Sequence, residues 1–592
     1  MPVTVSVFSF VCVVCYFDVF VLSETSPTFQ TTNGPVEGFS KIILQRQVDV
    51  FMGIPYAKPP IGALRFRRPE PIENWEETFR AVHSPSACYQ VIDDLFHNFR
   101  GVNMWNPPGE ISEDCLYLNL WVPRARSNRL STLVWIYGGS ATSGTSTLSV
   151  YDGSYLAAKN DVIVASMNYR VGALGFLYAG NERAPGNMGL LDQAMAIKWL
   201  YNNIEVFGGN QTKLTLFGES TGAGSIGMHL LSPISRTYVN NAILQSGSPI
   251  SSWAYSSPQT ALSSTMKFAN ALGCPDEDIE RMLECINATE PSKIVLNQGV
   301  FVGKNLVPGT SRATADNYFL SESPEKLLQR GLVKNTKILT GVNKNEYAYF
   351  LPYKYPKQFT LQKSEIQSRS EFLNDIKLII PMRNRHVLDG IVGEYELSVL
   401  ESKRRDYKDL LEDLGGDYTF KCPVVGYNSI YAKLAPEVDS VYFYSFEHRL
   451  LNNPWPKWMG VMHGDEIELV FGIPFRDTRN YTKAERALSA DIMKFWSNFA
   501  KTGNPNKETE QDHRSNQWPS FDDYNQEYII LKPGSTFQTG IGLKHRECSF
   551  WNEFYPKLDK IGENVCAASS VHFFSSKPAI AMLLATFVFL VR

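Results

Sequence analysis

Short apolar runs alternate with helical patterns along most of this chain. Leu133–Tyr137 and Val162–Ser166 are unbroken apolar runs, which is typical of central strands buried on both faces of a sheet. Leu190–Tyr201 has the spacing of a helix that follows such strands. Further runs of strand type occur at Ala242–Gln245, Lys337–Thr340 and Val441–Ser445. Strands that alternate with helices predict an α/β fold, with a large, mixed, mostly parallel central sheet flanked by helices.

The pattern of apolar and polar residues gives no reason to divide the chain into several domains. Alternating runs and turns up to Gly53–Tyr56 predict an antiparallel edge, and charged helix formers from Lys354 to Gly415 predict a helical insertion beside the sheet. We find no linker, repeat or low-complexity tract, so residues 24–566 are expected to form one domain.

The chain has 57 basic and 60 acidic residues and a net charge of −3. This balance excludes the basic footprint of a nucleic-acid-binding protein.

The two ends differ from the body. Residues 1–23 are almost wholly apolar, as in a secretory signal peptide, although Asp18 and the lack of a basic start weaken that match. Residues 567–592 combine small residues, a short polar spacer and a terminal apolar tail, which is typical of a glycolipid-anchor signal that is removed. A transmembrane tail is the alternative, but a spanning helix needs about 20 apolar residues. We therefore expect a secreted protein attached to the cell surface by a lipid anchor.

Cysteines and sequons are compatible with secretion. Nine cysteines occur, of which two lie in residues 1–23, so an odd number remains. Pairing of near neighbours, with one longer link, gives Cys88–Cys115, Cys274–Cys285 and Cys422–Cys548. Cys566 is then left to join two chains in a homodimer. Sequons for glycosylation begin at Asn210, Asn287 and Asn480.

The chemistry begins at a Gly-x-Ser-x-Gly turn. Phe217 to Gly222 follows an apolar alternation and leads into a small, apolar helical stretch. This is the strand-turn-helix context of a nucleophile elbow, in which the glycines let the chain bend and expose Ser220. The plainer alternative is a βα turn whose serine only caps the helix. An activated serine requires a base, an orienting acid and an oxyanion hole elsewhere in the chain.

Two residues fit the base and the acid in the order expected of this class. His463 is followed by glycine in a loop well after the elbow, and Glu346 follows a strand and a turn between the two. Each alone would more simply be a structural histidine or a solvated loop carboxylate. Their order along the chain makes Ser220, Glu346 and His463 the candidate catalytic triad.

The oxyanion hole is expected from Gly138, Gly139 and Ser140 after an early strand, together with the amide of Thr221. Gly139 and Gly144 have the spacing of a phosphate-binding loop, but Thr145 stands where that loop needs lysine, which excludes nucleotide binding. Cys12 and Cys15 fall in the expected signal peptide, and after it no Cys-x-x-Cys or His-Glu-x-x-His spacing occurs, so we expect no metal and no cofactor.

Several motifs in combination resemble the type B carboxylesterase/cholinesterase family. They are Phe51–Pro60, Glu113–Pro123, Phe207–Gly222 and Gln245–Pro249. The resemblance covers about Thr28 to Leu558. It implies the α/β-hydrolase fold, a triad of Ser220, Glu346 and His463, and the same three disulfides as proposed above.

Within that family the chain looks most like the cholinesterases. Trp105 stands where they place the tryptophan that receives choline, and Tyr349 follows the triad acid at their second aromatic position. A tryptophan face attracts a quaternary ammonium by about 0.5–2 kcal/mol. The resemblance implies a substrate-binding set of Trp105, Tyr349, Glu219, Tyr151, Trp455, Asp93, Phe350 and Trp253. The alternative for Trp105 and Tyr349 is ordinary core packing, and for Asp93 a solvated loop carboxylate.

Two departures from the family pattern qualify the match. Cholinesterases carry three glycines and two aromatics where this chain has Gly138–Thr142, and their acyl-pocket phenylalanines are not evident in Phe301–Leu306. The expected function is a serine esterase that hydrolyses choline esters, most simply acetylcholine. A broad-specificity carboxylesterase and a slow ligand-binding scavenger on the same fold are the alternatives.

Overall fold

The structure is a computed structural model that describes residues 26–560 except 125–128, 276, 299–311, 367, 381–384, 403–405, 436–439, 510–517 and 535–536. The expected signal peptide, anchor signal, Cys566 and the segment Phe301–Leu306 lie outside these residues.

Eighteen strands form within the described residues. In chain order they are β1 Thr28–Gln30, β2 Pro35–Glu37, β3 Phe39–Ile43, β4 Arg46–Pro55, β5 Phe79–Arg80, β6 Ala87–Cys88, β7 Ile111–Ser112, β8 Tyr117–Pro123, β9 Leu130–Ile136, β10 Ile163–Met167, β11 Tyr178–Asn181, β12 Ala184–Pro185, β13 Gly209–Glu219, β14 Asn241–Gln245, β15 Lys337–Asn343, β16 Val441–Phe446, β17 Glu527–Leu531 and β18 Gln538–Ile541.

Eleven of these strands make one sheet in the order β18-β17-β16-β15-β14-β13-β9-β10-β8-β4-β3. The block from β17 to β10 is parallel throughout, and the pairs at both ends of the sheet are antiparallel. Strands β9, β10 and β14 are buried along their whole length because helices cover both faces, as the apolar runs predicted. The sheet is mixed and mostly parallel, as expected.

The described residues also form eighteen α-helices. They are α1 Arg100–Asn103, α2 Ser154–Asn160, α3 Gly172–Phe176, α4 Met188–Asn203, α5 Thr221–Leu231, α6 Pro258–Leu272, α7 Ile279–Ala288, α8 Pro291–Asn297, α9 Pro324–Gln329, α10 Leu351–Lys354, α11 Arg369–Ile379, α12 Arg385–Ser402, α13 Tyr407–Gly416, α14 Cys422–Leu434, α15 Ile467–Val470, α16 Ile473–Arg476, α17 Lys483–Thr502 and α18 His545–Ser549. Helices α11 to α13 lie in the segment Lys354–Gly415 that the charged pattern predicted to be a helical insertion.

The topology brings the candidate residues to one edge of the sheet. Strands β9, β13, β15 and β16 run parallel, so the segments that follow their carboxyl ends lie together. The loop after β9 contains Gly138, and Ser220 follows β13. Glu346 follows β15, and His463 lies in the connection after β16.

Three disulfides tie the periphery, joining Cys88 to Cys115, Cys274 to Cys285 and Cys422 to Cys548. These are the three pairs that the resemblance implies. None of the helices in the described part of the chain is both long enough and apolar enough to cross a membrane.

Candidate active site

Ser220 occupies a sharp turn between β13 and α5. Its φ and ψ are 59° and −123°, a backbone conformation that non-glycine residues rarely adopt and that places Ser220 at the tip of the turn. The flanking glycines permit a close approach to β9, because a Cβ at Gly218 or Gly222 would lie 2.4 or 2.0 Å from the carbonyl oxygen of Ile136. The Ser220 amide donates to the carbonyl oxygen of Gln245 at 2.8 Å. The strained turn is thus anchored to the neighbouring strand β14.

The acid and the histidine are joined directly. Nδ1 of His463 lies 2.6 Å from Oε2 of Glu346. The other carboxylate oxygen, Oε1, accepts hydrogen bonds from the Ser246 hydroxyl at 2.7 Å and from the Asn343 amide at 2.6 Å. Glu346 is fully buried, and these bonds fix the orientation of its carboxyl group toward the ring. This arrangement leaves Nε2 of His463 as the nitrogen available for base chemistry.

A second carboxylate lies on the other side of the ring. Oε1 of Glu219 is 2.9 Å from Nε2 of His463, but neither atom has a hydrogen-bond partner among the described residues. Burial lowers the pKa of His463, but the charges of Glu219 and Glu346 outweigh it and raise that pKa well above the ordinary histidine value.

Ser220 and His463 line the same cavity, but no hydrogen bond joins them in the described structure. In free enzymes this bond is often long and tightens when substrate binds.

Sequence reasoning missed a third buried acid beside the triad. Glu466 accepts hydrogen bonds from Gln245 Nε2 at 2.9 Å and from Asn343 Nδ2 at 2.6 Å. Burial, followed by repulsion from Glu219, raises the pKa of Glu466 to about 7. Its place three residues after the candidate base was the available signal. Ser246, which holds Glu346, belongs to the motif Gln245–Pro249 but was not assigned a role.

The loop after β9 lies against the nucleophile. A Cβ at Gly138 would come within 2.8 Å of the Ser220 Cβ, so only glycine fits there. The amides of Gly139, Ser140 and Thr221 donate to no acceptor among the described residues. Three free amides around the elbow are the arrangement that an oxyanion hole requires.

A cavity of about 350 Å³ opens above Ser220. Five aromatic side chains line it: Trp105, Tyr151, Tyr349, Phe350 and Tyr353. Its described lining contains the carboxylates of Asp93 and Glu219 and neither lysine nor arginine. Such a cavity attracts a cation through both charge and aromatic faces.

Trp105 and Tyr349 both line the cavity but have different neighbours. Trp105 packs beside Tyr151, with ring centroids 6.5 Å apart, near Gly464 and the histidine. The hydroxyl of Tyr349 lies 3.2 Å from that of Tyr353, which in turn donates to Asp93 Oδ2 at 2.6 Å. A chain of polar contacts therefore links the second aromatic to the carboxylate of Asp93.

Two tryptophans expected to bind substrate lie elsewhere. Trp455 is buried behind Tyr349, with ring centroids 5.6 Å apart, and it lines a separate small cavity of about 30 Å³ that Trp105 also borders. Trp253 does not line the main cavity, because its ring packs on Phe420 and its Nε1 donates to the Thr419 carbonyl oxygen at 2.9 Å. Neither tryptophan lines the main cavity, and their expected part in substrate binding stays a prediction.

Comparisons with known proteins agree with this geometry. A family model described as "Carboxylesterase family" matches residues 25–551. The chain is 43% identical over 532 residues to a cholinesterase of Mus musculus, covering 89% of this chain and 87% of that protein. It is 41% identical to an acetylcholinesterase of Bungarus fasciatus over 90% of this chain and 87% of that protein, and 39% identical to an acetylcholinesterase of Electrophorus electricus over 92% and 91%. The chain therefore belongs to the carboxylesterase family.

Proposed function

We propose that this protein is a serine esterase that hydrolyses choline esters, acetylcholine being the simplest. The observation that carries the proposal is the cavity above Ser220, whose described lining combines five aromatic rings and two carboxylates with no lysine or arginine. The relatives named cholinesterase and acetylcholinesterase support the same substrate class.

The reaction follows from the roles of the triad. Nε2 of His463 takes the proton of Ser220 as the serine oxygen attacks the ester carbonyl, and Glu346 holds the imidazole in the required tautomer. The amides of Gly139, Ser140 and Thr221 stabilise the oxyanion, and His463 then protonates the leaving choline. Water attacks the acyl-enzyme with the help of the same base and restores Ser220.

Trp105 and Tyr349 hold the trimethylammonium group in this proposal. Trp105 lies close to Gly464, the residue that directly follows the base. Glu219 lies where it attracts the cation and also stabilises the imidazolium.

The test compares a choline ester with its neutral isostere, a 3,3-dimethylbutyl ester. We expect wild-type kcat/KM to favour the cation, and Trp105→Ala to lower this preference by about 2- to 30-fold, as a cation–π contact of about 0.5–2 kcal/mol implies. Trp75→Ala, which removes a half-buried tryptophan outside the cavity, is the matched control and should leave the ratio unchanged.

Equal kcat/KM for the two esters, unaffected by Trp105→Ala, would replace the proposal by a broad-specificity carboxylesterase. Failure of Ser220 to react with an organophosphate would instead favour a binding protein on this fold.

The proposal extends to location. Three disulfides favour an oxidising compartment. Asn480 is exposed and Asn210 and Asn287 are partly exposed, as glycosylation needs. Secretion, a glycolipid anchor and a dimer linked through Cys566 stay predictions; release from cells by phosphatidylinositol-specific phospholipase C tests the anchor, and non-reducing electrophoresis tests the link.

A further inference from the structure

The loop after β9 has a backbone that its sequence does not favour. Gly139, Ser140 and Ala141 have φ angles of 98°, 57° and 54°. Glycine adopts this left-handed region freely, but in Ser140 and Ala141 the Cβ crowds the neighbouring carbonyl oxygen. Two successive strained residues persist only where surrounding contacts hold them.

Hydrogen bonds at both ends hold this loop. The carbonyl oxygen of Gly139 accepts from the amides of Thr142 and Ser143 at 2.9 and 3.1 Å, which closes the loop on itself. The carbonyl oxygen of Ala141 accepts from the Gly172 amide at 2.6 Å. The amide of Ala141 donates to Oγ1 of Thr221 at 3.1 Å. Among these bonds, the one to Thr221 links the loop to the nucleophile elbow.

Thr221 thus has two connections to the oxyanion hole. Its own amide directly follows Ser220 and is free of other acceptors. Its hydroxyl holds the loop that carries the amides of Gly139 and Ser140. An oxyanion hole works only when its donors lie about 2.7–3.1 Å from the developing charge, so the spacing between its two halves must be fixed.

We propose that Oγ1 of Thr221 is a positioning group that sets this spacing. The inference rests on the proposed function in that it needs Ser220 to attack an ester, but it does not depend on choline. Thr221 is not among the residues that line the cavity, so its hydroxyl acts through Ala141 and not on the substrate.

Three variants isolate the hydroxyl. Thr221→Val keeps the side-chain shape but replaces the accepting hydroxyl by a methyl group. Thr221→Ala also removes the hydroxyl but adds no methyl group in its place. Thr221→Ser keeps the hydroxyl. The matched control is Ser225→Ala in α5, which deletes a hydroxyl that donates to the carbonyl oxygen of Thr221 at 2.9 Å and does not reach the loop.

We expect Thr221→Val and Thr221→Ala to lower kcat for a neutral ester by about 10- to 100-fold, because a displaced donor approaches the effect of a lost one. For Thr221→Ser and Ser225→Ala, kcat for the same ester should stay within about threefold of the wild-type value. KM and the affinity for tetramethylammonium should not change, since neither depends on the oxyanion. Affinity for a trifluoromethyl ketone, whose hemiketal oxygen occupies the oxyanion hole, should fall by the same factor as kcat/KM.

Equal kcat for the valine and serine variants would overturn the proposal. So would a parallel loss of tetramethylammonium affinity and melting temperature, which would mark a merely structural role. A wild-type protein that hydrolyses no ester would instead refute the proposed function, before any variant is compared.

Discussion

Nε2 of His463 and Oε1 of Glu219 lie 2.9 Å apart without forming a hydrogen bond. Glu219 directly precedes Ser220, so one strand end supplies both the nucleophile and a fixed negative charge beside the base. In the proposed reaction that charge stabilises the imidazolium formed when the serine is deprotonated, because both side chains are buried and their charges are poorly screened. The same charge raises the pKa of His463 in the free enzyme.

Glu219→Gln should therefore shift the acid limb of the pH profile of kcat/KM to lower pH. Glu219 favours the protonated ring, which is inactive as a base; removal of its charge lowers the pKa of His463, and activity then persists to lower pH. A pH–rate profile with a neutral ester measures the shift. Glu468→Gln is the control, since this buried carboxylate accepts from Tyr481 and not from the histidine. An acid limb that does not move would show that Glu219 does not influence the base.

Ser140→Gly should raise kcat by about threefold or more and speed acylation by bulky organophosphates and carbamates. Glycine removes a Cβ that is held at a left-handed φ of 57° on the wall beside Ser220. Ser140→Ala, which keeps the Cβ, should behave like wild type. Steady-state kinetics and inhibition rate constants check this, and equal rates for all three proteins would show that the serine fits without strain.

Asp93→Asn should raise KM for a choline ester several-fold at low ionic strength. The carboxylate of Asp93, held by Tyr353, attracts the incoming cation. The Debye length falls from about 30 Å at 0.01 M salt to about 3 Å at 1 M, so the difference should disappear at high salt. Asp94→Asn, at an exposed neighbour paired with His97, should have a smaller effect. A salt-independent change, or an equal change with a neutral ester, would argue against electrostatic attraction.

Lys421→Met should lower the free energy of unfolding by about 3 kcal/mol, because it removes one of the two cations, Lys421 and Lys544, that pair with a buried cluster of acids. Lys421 is 3% exposed and lies 3.4 Å from Asp417 and 3.9 Å from Asp413. Burial lowers the pKa of Lys421, but the charges of these two acids and of Glu412 raise it by more than burial lowers it. The side chain is therefore a cation in the folded protein. Urea denaturation followed by near-UV circular dichroism measures the change.

The control for this variant is Lys433→Met. Lys433 pairs with Asp523 at 2.9 Å on the surface, where an ion pair contributes about 0–1 kcal/mol. Similar stability losses for the two variants would mean that the buried position of Lys421 is not what matters.

The sequence predicted the sheet and the elbow at Ser220 because both signals are local, whereas Glu346 and His463 became candidates only through their order along the chain. The alternation before Ser220 and the glycines around it mark an elbow wherever they occur, and the apolar runs mark buried strands. Glu466 and Ser246 could not be assigned in this way. Each acts through a side-chain contact with a residue from another strand end, and no spacing in the chain encodes that contact.

The sequence also could not distinguish a tryptophan of the cavity wall from a tryptophan packed behind it. Trp105 lies on the cavity wall as expected, but Trp455 and Trp253 are turned away from the main cavity by packing against Tyr349 and Phe420. Tryptophan is favourable both in a core and in a binding site, so its presence at a family position does not decide which it occupies.

The amide of Ser220 is held by the end of β14, and its flanking glycines touch the end of β9. Any loosening of these central strands therefore displaces the reactive oxygen before peripheral helices need to move. Heat inactivation should consequently follow the melting of the sheet interior. The activity that remains after mild heating then reports how much of the core is still intact.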